Sequence, residues 1–165
     1  MEPKIVCVLH NLRSAQNVGS IFRTADAVGA AVWTVGITPH PPIKTDTRPP
    51  YVADRARSLL AKTALGAERT VLHHHFDELT TAIDAARQLH YAISALEQAE
   101  GSRGLYDAAM SPLRAIVCGP EVEGLSPAEL ALCDEVIEIP MIGAKESLNV
   151  SVAAALALYR FSLGR

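Results

Sequence analysis

The fold is decided by residues 5–37, which read IVCVLHNLRSAQNVGSIFRTADAVGAAVWTVGI. Two uninterrupted apolar runs, Ile5–Leu9 and Ala31–Ile37, flank a segment whose apolar residues recur at helical spacing. A continuous apolar run is typical of a strand that is covered on both faces, as in a parallel sheet. This stretch therefore predicts a strand, a helix and a second strand, the repeating unit of α/β proteins.

The same alternation continues to the end of the chain. Further strands are predicted at Tyr91–Ala95, Ala115–Cys118 and Val136–Ile139, with a weaker one at Thr70–Leu72. Helical patterns lie at about 17–29, 52–64, 77–89, 126–132 and 147–162. We therefore predict a single α/β domain over residues 1–165, with a mostly parallel sheet and helices on both faces.

Composition excludes several classes of protein. The chain has 165 residues, of which 49% are hydrophobic and 20% charged, so it can bury one core and is not disordered. No run approaches the ~20 apolar residues of a membrane span, and the first residues do not resemble a secretion signal. The cysteines, Cys7, Cys118 and Cys133, lack paired spacing and predict reduced thiols. We expect a cytoplasmic protein.

The net charge of −3 is unevenly distributed. Residues 1–70 contain nine Lys or Arg against five Asp or Glu, whereas residues 71–165 contain six against thirteen. The basic excess favours an anionic partner, although a solvated surface with a chance imbalance is the alternative. The residues predicted to contact the phosphates of such a partner are Arg13, Lys44, Arg48, Arg55, Arg57 and Lys62. Aromatic residues, at 5%, are too few for a site built on several stacking rings.

The first and last helices differ in pattern. The first has one apolar face, from which Arg23 points away, and Asn17 is a candidate N-cap. The last helix, from Leu148 to Phe161, has apolar side chains in every direction. Such a helix must be covered on more than one side, and we expect a second copy of the chain to supply that cover in a homodimer.

Three polar, glycine-containing segments adjoin predicted strands: 11–23, 119–126 and 139–151. Ligands of open α/β sheets bind outside the carboxyl ends of the strands, so these segments are expected to converge. Taken singly, each has a simpler interpretation as a helix cap or a charged loop. The tract His73–His75 predicts no metal site, because successive side chains of an extended chain point in opposite directions and no partner ligand accompanies them.

Together, the three segments resemble the signature motifs of the SpoU (TrmH) family. These are Asn-x-Gly-x-Ile-x-Arg at 17–23, Gly-x-Glu-x-x-Gly-Leu at 119–125, and Ile-Pro-Met-x-Gly-x-x-x-Ser-Leu-Asn-Val-Ser at 139–151. The resemblance covers the chain from about Ile5 to Phe161. It implies an α/β fold with a deep trefoil knot within about residues 115–165, a rare exception to the rule against knots.

The resemblance also implies a function: methyl transfer from S-adenosylmethionine to a ribose 2′-OH of tRNA or rRNA, without a metal. The catalytic residues it implies are Arg23, Asn17, Glu121, Ser147 and Asn149. The cofactor-binding residues it implies are Gly119, Glu121, Ile139, Met141, Gly143, Ser147 and Leu148. Family members pair through their first and last helices, and the arginine of one subunit works with the cofactor held by the other.

Two alternatives remain open at this point. One is a noncatalytic knotted factor for RNA binding or ribosome assembly, which failure to bind S-adenosylmethionine would favour. The other is a nucleotide-binding α/β enzyme acting on a small molecule, which a methylated product that survives ribonuclease would favour.

Overall fold

A computed structural model describes residues 3–163, which form an α/β domain around one seven-stranded sheet. The strands are β1 (Ile5–His10), β2 (Ala31–Val35), β3 (His73–Phe76), β4 (Ala92–Leu96), β5 (Arg103–Gly104), β6 (Arg114–Cys118) and β7 (Glu135–Glu138). Their order is β3-β2-β1-β6-β4-β7-β5, and every neighbouring pair is parallel. The predicted fold class is confirmed, whereas the knot within residues 115–165 stays a prediction.

The helices are α1 (Ala15–Val28), α2 (Pro50–Ala64), α3 (Ala67–Thr70), α4 (Leu79–Gln88), α5 (Pro127–Leu130) and α6 (Val150–Leu163). Five of them, all except α3, agree with the predicted helical segments to within three residues at each end. The last helix begins at Val150 rather than at 147, so the third motif up to Asn149 lies outside it.

The weak strand predicted at Thr70–Leu72 is wrong. Thr70 ends the short helix α3, and the strand that follows is His73–Phe76, at the edge of the sheet beyond β2. An edge strand is only partly buried and can carry polar residues, so it has no continuous apolar run to reveal it. The two-residue strand β5, at the opposite edge, is too short to show any periodicity.

The core lies on both faces of the sheet, because successive side chains of a strand point to opposite sides. On one face, Leu9 packs in a cluster with Phe22 of α1 and Leu158 of α6. On the other face, Val8 belongs to a cluster with Ile83 of α4. The predicted covering of both faces by helices is confirmed.

Helices α1 and α2 approach each other closely at Gly19, the glycine of the first motif. A Cβ atom at this position would lie 2.5 Å from the Leu60 carbonyl oxygen and 2.2 Å from Thr63 Oγ1. Thr63 Oγ1 also donates to the Gln16 carbonyl oxygen at 2.9 Å. Glycine is required here because it lets the backbones of two helices meet.

Helix α6 buries one side and leaves an apolar stripe exposed. Ala154, Ala157, Leu158 and Phe161 are buried. The exposed stripe is Val152, Leu156, Tyr159 and Leu163, at the i, i+4, i+7, i+11 spacing of one helix face. The all-round apolar pattern of the sequence is thus split between a face in the core and a face that a single chain leaves in water.

Two further sequence predictions concern the thiols and membrane spans. All three cysteines are free, as predicted. Within residues 3–163, no helix has both the length and the apolar character needed to cross a membrane.

Candidate active site

A cavity of about 490 Å³ opens at the carboxyl ends of β4, β6 and β7. It is lined by residues that follow each of these strands, including the second and third motifs. Six of the residues implied to bind the cofactor line it: Gly119, Glu121, Ile139, Met141, Ser147 and Leu148. Gly143 lies outside the lining, in an exposed part of the loop.

The walls of this cavity are apolar and acidic. The lining residues that the structure describes include four carboxylates and no lysine or arginine: Glu97, Glu121, Glu123 and Glu138. Apolar side chains complete the walls: Leu96, Ile139, Met141 and Leu148. Such a lining favours a ligand with an apolar body and a positive charge.

Two glycines shape the loop between β6 and α5. A Cβ atom at Gly119 would lie 2.9 Å from the Leu125 backbone nitrogen, and Gly124 has a φ of +67°. A side chain at the first would push the loop open, and the second adopts a backbone conformation that other residues rarely take. Both glycines of the second motif therefore keep the loop folded tightly against the cavity.

The three motifs meet in a chain of hydrogen bonds. Asn17 Nδ2 donates to Glu121 Oε1 at 3.4 Å, and Asn149 Nδ2 donates to Asn17 Oδ1 at 3.2 Å. The two residues of each bonded pair lie more than one hundred positions apart in sequence, so the fold alone brings them together. The expected convergence of the strand-end segments is thus observed for Asn17, Glu121 and Asn149.

The N-cap of α1 is Ser14 rather than Asn17, so the sequence prediction was wrong on this point. Ser14 Oγ accepts from the Asn17 backbone nitrogen at 3.2 Å. The helix begins three residues earlier than its apolar face indicates, because the first turn carries polar side chains. The side chain of Asn17 is thereby left available to bridge Glu121 and Asn149.

Glu121 is bound at the beginning of α1. Its carboxylate accepts from the backbone nitrogens of Arg13 and Ser14, each at 3.2 Å. Burial acts to raise the pKa of this carboxyl, but the hydrogen bonds from Arg13, Ser14 and Asn17 outweigh it and hold the pKa below its ordinary value. Glu121 is therefore ionised at neutral pH and favoured by the positive end of the helix dipole.

Asn149 has two roles. Its Oδ1 accepts from the backbone nitrogen of Ser151 at 2.9 Å and from Ser151 Oγ at 2.6 Å, so it caps the start of α6. Its Nδ2 bonds to Asn17. Ser147, two residues earlier, is exposed and lines the cavity.

Arg23 lies outside this cluster. It is exposed on α1, six residues beyond Asn17, which places it about 9 Å further along the helix axis. No hydrogen bond or ion pair joins it to another residue among 3–163. The single chain therefore brings together Asn17, Glu121 and Asn149 but leaves Arg23 apart from them.

The six basic residues predicted to contact phosphates fall into two groups, those paired with an aspartate and those that are not. Arg48 is held by Asp46, with its Nη2 2.6 Å from Oδ2, and Arg57 pairs with Asp54 at 2.7 Å. The others are exposed: Arg13, Lys44, Arg55 and Lys62. Arg13 reaches Glu123 only at 4.0 Å, and both of those side chains are largely in water.

Sequence reasoning missed Glu97 and Glu138 as parts of the cavity. Each stands at the carboxyl end of a strand, Glu97 directly after β4 and Glu138 as the last residue of β7. The feature of the sequence that could have identified them is a charged residue at the carboxyl end of a strand. As for metals, no group of three or more ligating side chains capable of holding an ion occurs in the described part of the chain.

The fold and the cavity define an α/β protein with a cavity at the carboxyl edge of a parallel sheet. A model of the SpoU rRNA Methylase family matches residues 4–159. The chain belongs to this family.

Similar proteins act on both kinds of stable RNA. The 23S rRNA (guanosine-2′-O-)-methyltransferase RlmB of Haemophilus influenzae is 30% identical over 155 residues, which are 94% of this chain and 58% of that protein. A solved structure described by the 2-OH methylation of C/U34 on tRNA is 26% identical, with a TM-score of 0.71 and 99% of each chain covered. An AdoMet-bound rRNA methyltransferase from Sinorhizobium meliloti shares the fold, with a TM-score of 0.76, 24% identity and coverage of 99% of this chain and 57% of that one.

Proposed function

We propose that this chain transfers a methyl group from S-adenosylmethionine to a ribose 2′-OH of tRNA or rRNA in the cytoplasm. One observation carries the proposal: Glu121 and Asn149, which line the acidic cavity, are both hydrogen-bonded to Asn17, so that all three family motifs are joined there. Membership of the SpoU family and the activities named for the similar proteins support it.

The cavity fits the proposed cofactor. S-adenosylmethionine has an adenine ring and, from its sulfonium, ammonium and carboxylate groups, a net charge of +1. The apolar side chains of Ile139, Met141 and Leu148 provide surface for the ring, and the surrounding glutamates favour the positive charge. Bound there, the cofactor would supply a methyl group made electrophilic by its sulfonium.

Residues of the chain must orient the attacking hydroxyl and stabilise the charge that develops on it. A ribose 2′-OH is a weak nucleophile: as its oxygen bonds to the methyl carbon, the bond from that carbon to sulfur breaks to leave a neutral thioether, and the hydroxyl proton passes to solvent. A guanidinium group has no acceptor atom and is a poor base, so the part proposed for Arg23 is to orient the hydroxyl and the adjacent phosphate and to stabilise the developing negative charge. Glu121 is engaged by three donors, which fix it as the anchor that positions Asn17.

The position of Arg23 supports a homodimer. In one chain Arg23 is remote from the Asn17 cluster, and α6 leaves the stripe of Val152, Leu156, Tyr159 and Leu163 in water. A second copy packed on α6 and α1 would cover this stripe and present its own Arg23 to the cavity of the first. We therefore propose that each active site contains residues of two chains.

The RNA surface proposed here is the exposed basic set Arg13, Lys44, Arg55 and Lys62, with Arg48 and Arg57 contributing at its border. The first four have charges that the chain itself neutralises little, so they are available to phosphates. Binding through them should weaken steeply as salt is raised.

The test combines cofactor binding with mapping of the product. Titration calorimetry with S-adenosylmethionine should show binding, and mass spectrometry of total RNA with and without the protein should show one or more added 2′-O-methyl nucleotides. Absence of S-adenosylmethionine binding, together with no new methylation, would favour a noncatalytic RNA factor. A labelled methyl product that survives ribonuclease would favour a small-molecule enzyme.

A further inference from the structure

A second cavity, of about 390 Å³, lies on the other side of the loop that follows β6. Asn11, Arg13 and Ile37 line it from the ends of β1 and β2, and it shares Pro120, Glu123 and Gly124 with the acidic cavity. Its size is within the ~300–1,000 Å³ typical of small-ligand sites. The two cavities are thus separated only by residues 120–124.

The rim of the second cavity is held in an unusual backbone conformation. Asn11 has a φ of +52° and Gly36 a φ of +64°. Asn11 Oδ1 accepts from the Ile37 backbone nitrogen at 3.1 Å, and a Cβ atom at residue 36 would lie 2.2 Å from that oxygen. A left-handed non-glycine residue costs free energy and persists where surrounding contacts enforce it, often at functional sites.

Polar contacts of His10 and Glu129 support this rim. His10 is buried, and its Nε2 lies 2.7 Å from Glu129 Oε1. Glu129 Oε2 accepts from the Ser126 backbone nitrogen at 2.7 Å and from Ser126 Oγ at 2.8 Å. These contacts connect the end of β1 to the start of α5, so the cavity is largely preformed.

Above this frame, Ile37 is exposed. Its exposed fraction is 62%, so most of this apolar side chain lies in water beside the cavity that it lines. The guanidinium of Arg13 is also exposed. An arginine guanidinium can stack on an unstacked base, and apolar side chains pack against the face of a base that is turned out of its stack.

Arg13 connects this cavity to the Asn17 cluster. Its backbone nitrogen donates to Glu121, while its side chain lines the second cavity. A nucleotide whose ribose lies beside Asn17 and Glu121 therefore has this cavity within the reach of its own base.

We propose that the second cavity receives the base of the nucleotide whose ribose is methylated, with Ile37 packing on the ring. This inference rests on the proposed methyl transfer to RNA and specifies how its substrate is held. In this arrangement the target nucleotide is unstacked and its base is turned toward the protein, as it is in enzymes that act on a base itself. Ile37 acts as a substrate-positioning residue and takes no part in cofactor binding.

The test is a double-mutant cycle between Ile37 and the base. Two RNAs are compared at the mapped target position: the intact RNA and one with an abasic nucleotide that keeps its ribose 2′-OH. Ile37→Ala should lower kcat/KM for the intact RNA about tenfold, the effect expected for losing one stacking contact, and should change kcat/KM for the abasic RNA little. S-adenosylmethionine affinity should be unchanged.

Leu72→Ala is the matched control, since Leu72 is a half-exposed apolar residue that lines neither cavity. It should leave kcat/KM for both RNAs unchanged. An equal loss for Ile37→Ala on both RNAs, or coupling to the base of a neighbouring nucleotide instead, would overturn the proposal. Failure of the underlying function is distinguishable, because the unaltered protein would then methylate neither RNA.

Discussion

Residues 11–17 and residues 139–149 both follow strands at the same edge of the sheet, yet they are held very differently. In the first segment Leu12 is fully buried, and the backbone nitrogens of Arg13 and Ser14 are bound by Glu121. In the second, residues 142–149 are all exposed, and Ile142 is completely so.

The difference distinguishes the part of the proposed site that one chain holds in place by itself from the part that depends on the cofactor or on a second chain. The first segment is preorganised by the chain's own hydrogen bonds, so it can position a substrate. The second carries the apolar residues proposed to contact the cofactor, and it leads into the exposed stripe of α6, which is proposed to contact a second copy of the chain. Four experiments test this division, beginning with the largest expected effect.

Leu156→Asp should have the largest effect. A carboxylate in the middle of the exposed α6 stripe would be buried without a partner in the proposed dimer, so the dimer should dissociate and methyl transfer should fall by 100-fold or more, roughly the cost of losing a key transition-state contact. Light scattering should report half the molar mass of the unaltered protein. Leu72→Asp, at the far edge of the sheet, should change neither quantity. A Leu156→Asp dimer of unchanged mass would show that α6 is not the interface.

Arg23→Ala tests the residue that the single chain leaves outside the cluster. Removing its positive charge from the developing alkoxide should lower kcat by about 10²–10³-fold while S-adenosylmethionine binding persists. Single-turnover kinetics and calorimetry on the same sample measure the two quantities. A rate near that of the unaltered protein would remove Arg23 from the mechanism.

Gly19→Ala tests the packed side of the comparison. A Cβ atom would collide with the Leu60 carbonyl oxygen, so α2 must move away from α1, and we expect the free energy of unfolding to fall by about 1–3 kcal/mol. Urea denaturation measures the change. Gly143→Ala is the matched control in the exposed segment, where a Cβ atom would meet nothing within 4 Å. Equal effects of the two substitutions would contradict the contrast between the segments.

Glu121→Gln should have the smallest effect, and one that depends on pH. The pKa of Glu121 is lowered in the folded chain, so its carboxylate stabilises the fold above its ordinary pKa of 4.5, and this contribution disappears as the pH falls through the lowered value. The variant should therefore unfold more easily than the unaltered protein at pH 7, and the difference should vanish in strong acid. A difference that is constant with pH would mean that the charge of Glu121 contributes nothing.

The sequence predicts much of this architecture, for reasons visible in particular residues. The buried strands were readable because Ile5–Leu9 and Ala115–Cys118 are continuous apolar runs. The edge strands were not, since His73–Phe76 is partly exposed and Arg103–Gly104 is only two residues long. At an edge, pairing by backbone hydrogen bonds decides the structure more than side-chain pattern does.

The site follows the same division. That strand-end segments converge was predictable, because the carboxyl ends of parallel strands lie at one edge of the sheet. The N-cap was not, since Ser14 and Asn17 are both good caps and only the helix start decides between them. The second cavity was also hidden, because it depends on the left-handed conformation of Asn11 and on a contact between residues 11 and 37.

We propose that each active site combines the cavity of one chain with Arg23 of another, and this can be tested directly. The most direct measurement uses two inactive variants made together in one cell: Arg23→Ala, and Leu148→Arg, which places bulk and positive charge in the acidic cavity. Calorimetry should first show that Leu148→Arg no longer binds S-adenosylmethionine and light scattering that it still dimerises. Random pairing makes about half of the dimers mixed, and each mixed dimer has one intact composite site out of two. A shared active site therefore predicts about a quarter of the unaltered methyl-transfer activity. A mixed preparation that is no more active than either variant alone would contradict a shared active site.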